Sequence, residues 1–124
     1  MTQPLALVLY ERLLPGSQLV NRLQDLKYRV QAVTKPGELV ETAKAAKPMI
    51  VLVDLGEAPS GVLSAIQSLK QDNATQHLPV MAFATHTTDE LKAQSQAAGV
   101  TLFVSETAAL NYLPQLLEQA LQID

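Results

Sequence analysis

Short apolar runs alternate along the chain with segments whose apolar residues recur every three or four positions. Leu5-Ala6-Leu7-Val8-Leu9 is continuous, as a strand covered on both faces requires, and predicts a first strand. Arg12 to Gly16, punctuated by Pro15-Gly16, reads as a loop. Ser17 is then the N-cap of a first helix with the stripe Leu19, Val20, Leu23 and Leu26. Arg29-Val30-Gln31-Ala32-Val33 alternates polar and apolar residues, the mark of a half-covered strand near a sheet edge. Pro36 suits the first turn of a second helix carrying Leu39, Val40, Ala43 and Ala46, which Pro48 ends.

Met49-Ile50-Val51-Leu52-Val53-Asp54-Leu55 is the most informative run, a buried strand that finishes on a lone carboxylate. A loop from Gly56 to Gly61 follows, and Val62, Leu63, Ile66 and Leu69 predict a third helix. Gln71 to His77 is polar and reads as an extended connection to a strand over Pro79–Ala84. Thr87-Thr88-Asp89-Glu90 has the form of a capping box opening a fourth helix, which Gly99 ends. Thr101-Leu102-Phe103-Val104 is a fifth strand. Leu110, Leu113, Leu116, Leu117, Ala120 and Leu121 share a last helical face, with the fifth helix starting near Asn111 so that Pro114 falls in its first turn.

Strict alternation of strands and helices implies an α/β fold, a three-layer sandwich around a five-stranded parallel sheet of order 2-1-3-4-5, in a single domain over residues 1–124. Asp54 then lies at the C-terminal end of the central strand, where open α/β sheets bind ligands.

Composition narrows the chemistry. No cysteine excludes disulfides, thiolate catalysis and cysteine-ligated metals. A net charge of −3 with no Trp, three Tyr and two Phe provides neither a basic footprint nor stacking platforms, which argues against nucleic-acid or anionic-membrane partners. The N-terminus lacks a basic signal-peptide region and no apolar run is long enough to span a bilayer, so a cytoplasmic location is expected.

The chain resembles the CheY-like receiver domains of bacterial two-component signalling over essentially its whole length. Val51-Leu52-Val53-Asp54-Leu55 is similar to their phosphoacceptor strand, followed by Pro59 and Gly61. Leu78-Pro79-Val80 resembles the start of their fourth strand, Ala97-Ala98-Gly99-Val100 their Ala-Gly-Ala signature, and Phe103 their fifth-strand aromatic. The resemblance implies an aspartate acceptor at Asp54, two acids that help hold Mg²⁺, a lysine for a phosphoryl oxygen and a hydroxyl that senses the product. The acid pair corresponds to Tyr10-Glu11, leaving one carboxylate. The hydroxyl position corresponds to Ala84, with Thr85 beside it as a partial substitute if the register slips. The lysine position corresponds to Glu106, followed by Thr107 where proline is usual. The loop after Asp54 is one residue short.

An anion in place of a cation would repel a phosphoryl group, so the expected reading is a degenerate, non-catalytic pseudo-receiver rather than an enzyme, signalling through protein–protein contacts. The alternative is a phosphorylatable receiver with Asp54 as acceptor. Glu11 and Asp54, with Glu106, form a third candidate, an oxygen-ligand site for Mg²⁺ or Ca²⁺; solvated strand-end acids are the plainer reading. The resemblance also points to a partner face made by the fourth helix, fifth strand and fifth helix, with Phe103, Leu110 and Tyr112 either partly exposed for a signalling kinase, an output protein or a homodimer, or buried against the sheet. His77 and His86 have no metal-ligand spacing, and Ser105 lacks a nucleophile elbow and reads as structural. No dinucleotide or triphosphate fingerprint is present.

Overall fold

The computed structural model describes residues 4–10, 13–55, 59–84 and 87–122. In chain order the elements are β1 (Leu5–Leu9), α1 (Leu13–Asp25), β2 (Arg29–Val33), a single 3-10 turn (Pro36–Glu38), α2 (Leu39–Ala46), β3 (Ile50–Asp54), α3 (Pro59–Gln71), β4 (Val80–Ala84), α4 (Asp89–Ala98), β5 (Leu102–Ser105), α5 (Glu106–Asn111) and α6 (Leu113–Gln122). All strand pairs are parallel and the sheet order is β2-β1-β3-β4-β5, as the alternation predicts.

The period of two along each strand divides the core into two layers. Leu7, Leu9, Val51, Val53, Val80 and Ala82 pack with residues of α2, α3 and α4, including Leu39, Ala43, Ile66 and Ala98. Their strand neighbours Ala6, Val8, Ile50, Leu52, Met81 and Phe83 pack with Leu19 and Leu23 of α1, Ala109 of α5, and Leu113 and Leu117 of α6. β1, β3 and β4 are almost wholly buried, whereas the outer strands β2 and β5 are only partly covered. Their sequences differ accordingly: continuous apolar runs inside, alternation at the β2 edge.

Several boundaries differ from the expectation. α1 begins at Leu13 and α3 at Pro59, so both prolines read as loop punctuation lie in first turns. There the missing N–H has no helical acceptor to lose. Ser17 is consequently inside α1 and does not cap it. The N-cap of α4 is Thr88, whose hydroxyl accepts from the Leu91 N–H at 3.1 Å; with Leu91 in the third helical position, the box with Glu90 is not formed. Gly99 ends α4 at φ 103. The C-terminal segment is two helices separated at Tyr112, and Pro114 occupies the first turn of α6. Ser105 caps α5 by accepting from the Ala108 N–H at 3.1 Å, which gives it the structural role expected.

The connection from α3 to β4, expected to be extended over Gln71 to His77, is a compact turn, and Gln71 belongs to α3. Thr75, wholly buried, donates its hydroxyl to the Leu69 carbonyl at 2.6 Å. Asp72 accepts from the Ala74 N–H at 2.9 Å and pairs with Lys44 of α2 at 2.7 Å. The Lys70 ammonium donates to the Gln76 and Leu78 carbonyls. Side chains thereby satisfy backbone groups that an extended connection would expose to water.

Candidate functional site

The parallel register brings the site positions named above to one edge of the sheet. Asp54 pairs in register with Phe83, and Ala84 with Ser105, so Asp54, Ala84 and the start of α5 lie together at the carboxyl ends of β3, β4 and β5. The ladder continues past two strand ends: the Tyr10 N–H donates to the Val33 carbonyl at 3.0 Å, and the Leu55 N–H to the Phe83 carbonyl at 3.0 Å. These bonds fix the backbone on either side of the candidate acceptor.

Asp54 is 1% exposed and Ala84 2%. A carboxylate so enclosed is held by its surroundings rather than by water. Glu106 is half-buried and is the first residue of α5, directly after Ser105. An acid in a first turn complements the helix dipole, which accounts locally for a carboxylate where the resemblance implies a lysine. Tyr10 is half-buried and packs its ring against the α1/α6 side of the core, so the first residue of the implied acid pair contributes apolar area instead of charge.

Glu11, Thr85 and His86 lie outside the described residues. Among the described residues no group of three or more His, Asp or Glu side chains is placed to hold a metal ion. Lys70 does not occupy the lysine role, because it binds carbonyls at the opposite edge of the sheet. His77 is exposed in the turn before β4, also at the opposite edge. Of the partner-face candidates, Phe103 and Leu110 are half-buried and Tyr112 is 58% exposed.

The amino-terminal edge carries groups that the sequence reading passed over. Lys44, Asp72, Lys70 and Thr75 pin the α2–β3 and α3–β4 junctions together. Hydrogen bonding from Lys44, then from the Ala74 N–H, holds the Asp72 carboxyl below its ordinary value, and burial lowers the Lys70 ammonium. The available signal was Asp72-Asn73-Ala74-Thr75 after a helix, a spacing that favours side-chain-closed turns.

No protein-family model and no curated protein matches the chain in sequence. Solved structures match it in shape. A putative response regulator from Chloroflexus aurantiacus superposes with a TM-score of 0.89 at 14% identity, covering 98% of this chain and 100% of that one. Chemotaxis response regulator CheY4 of Vibrio cholerae gives 0.84 at 18% identity, with 96% and 99% covered. A response regulator from Thermotoga maritima gives 0.83 at 18% identity, with 98% and 100% covered. No helix among the described residues is long and apolar enough to cross a membrane. Sheet order, the two core layers and these superpositions agree that the chain has the fold of response-regulator receiver domains.

Proposed function

We propose that this chain is a pseudo-receiver: a non-catalytic signalling module that binds another protein and is not switched by aspartyl phosphorylation. The observation that carries the reading is the make-up of the strand-end edge. At the same edge as Asp54 lie the buried methyl group of Ala84 and, at the start of α5, the acid Glu106, in positions where the resemblance implies a hydroxyl and a cation for phosphoryl transfer and its readout. A phosphoryl group on Asp54 would add negative charge to the edge that carries Glu106, with no Ala84 hydroxyl to register its arrival. A switch moves populations only by interacting differently with two states, and the described residues of this edge supply little such difference.

The partner surface in this reading is the α4–β5–α5 side, where Tyr112 is largely solvent-exposed and Phe103 and Leu110 contribute half-buried apolar area. An exposed amphipathic aromatic at the end of α5 is suited to protein contact.

Beryllofluoride with Mg²⁺, which mimics an aspartyl phosphate, tests the reading in a ¹H–¹⁵N NMR titration. The expected spectrum is unchanged at Asp54, Leu55 and Ala84. Saturable shifts at those residues that disappear in Asp54→Asn would show a working acceptor site.

A further inference from the structure

We propose that the cleft between the C-terminal end of α2 and the α3–β4 turn binds a small organic anion, a phosphate or carboxylate carried on a short apolar body. The cleft has a volume of about 240 Å³ and is lined by Ala43, Lys44, Lys47, Pro48, Ala74, His77 and Leu78. It opens at the amino-terminal edge of the sheet, across the molecule from Asp54.

The composition of the lining points to the ligand class. Ala43 and Leu78 are buried core residues and Pro48 is buried beside them, so they present a dry apolar floor. Lys44, Lys47 and His77 form the rim. The Lys44 ammonium is already engaged by Asp72 at 2.7 Å, which joins the two walls and leaves Lys47 and His77 as the groups available to an anion. The wall on the turn side is rigid, because Thr75 and Lys70 anchor it from beneath. A preorganised wall lowers the ordering cost of binding.

Helix polarity explains some of this positive charge but not all of it. Lys44 and Lys70 lie in the last turns of α2 and α3, where cations complement the dipole. Lys47 is beyond α2, in the left-handed region at φ 52, and immediately precedes a proline that disfavours helical conformations. Glycine or asparagine is the usual occupant of that position. A lysine there places a cation at the mouth of the cleft where a smaller residue would suit the backbone better.

Titration of the ¹⁵N-labelled full chain with phenyl phosphate tests the proposal, with inorganic phosphate and benzyl alcohol as the charge alone and the apolar body alone. The expected result is saturable shifts at the amides of Lys47, Ala74, His77 and Leu78 with phenyl phosphate, weaker shifts at the same amides with inorganic phosphate, and none with benzyl alcohol. Lys47→Asn suits the left-handed backbone, so it should melt no lower than wild type while binding phenyl phosphate about tenfold more weakly. No saturation with phenyl phosphate, equal affinity in Lys47→Asn, or equal affinity for inorganic phosphate would overturn the assignment of this ligand class.

Discussion

The two edges of the sheet differ in kind. Acids stand in first helical turns at the carboxyl edge: Glu38, Asp89, Glu90 and Glu106, along the edge at which β3 ends on the buried Asp54. At the amino edge Arg22, Lys44 and Lys70 lie in last turns and Lys27 and Lys47 occupy left-handed positions, with the acids Asp25 and Asp72 among them. Helix dipoles favour this polarity, since every helix runs antiparallel to the strands. What the dipoles do not dictate is the fine structure. At the carboxyl edge an acidic first-turn residue and a methyl group stand where the resemblance implies a cation and a hydroxyl, while at the amino edge the Lys44–Asp72 pair joins the walls of a cleft with an apolar floor. In the proposed reading, the fold keeps its general charge polarity without the switch chemistry at its usual ligand edge.

The largest effect expected from probing this contrast is at Gly99. A Cβ there would meet Lys70 Cγ at 2.7 Å, and φ is +103. Gly99→Ala should cost about 2 kcal/mol in urea unfolding, and the same substitution made in a Lys70→Ala background should cost less only by the steric part. No cost of Gly99→Ala in the Lys70→Ala background would show that backbone conformation contributes nothing. Next in size, Thr75→Val removes a buried donor and leaves the Leu69 carbonyl without it; a loss of about 1.5 kcal/mol is expected from the same measurement. A value near zero would mean that the turn is not pinned by this bond.

Changes at the carboxyl edge should be milder. Glu106→Lys restores the cation that the resemblance implies but opposes the dipole of α5, with an expected cost of about 0.5 kcal/mol. A gain in stability would mean that acid crowding at this edge outweighs the local helix preference. The smallest effect is in acid. The Asp72 carboxyl is held below its ordinary value of 3.8 by hydrogen bonding from Lys44 and the Ala74 N–H, so its contribution is fully present above that pH and is lost as pH falls through the lowered folded value. Asp72→Asn should flatten only this acid limb of the stability curve, and a difference persisting unchanged down to pH 2 would refute the linkage.

The fold was legible because buried parallel strands leave little freedom in composition. β1 and β2 agree with the sequence pattern to the residue, and β3 to its carboxylate. Helix starts were less legible, because Pro15 and Pro59 are compatible with both a loop and a first turn, and the apolar stripes do not distinguish the two. The C-terminal stripe likewise continues across a break, since Leu110 and Leu113 pack on the same core although they belong to different helices.

At the candidate site, Asp54, Ala84 and Glu106 could be placed because strand register carries them to one edge. The amino-edge cleft escaped notice for the opposite reason. Its walls depend on Lys44 meeting Asp72 and on Thr75 turning back to Leu69, contacts that follow no short-range period.

Intact-mass measurement after incubation with acetyl phosphate and Mg²⁺ tests the central claim most directly. The account predicts an unchanged mass for wild type and Asp54→Asn alike. Addition of one phosphoryl group to wild type, absent from Asp54→Asn, would contradict it.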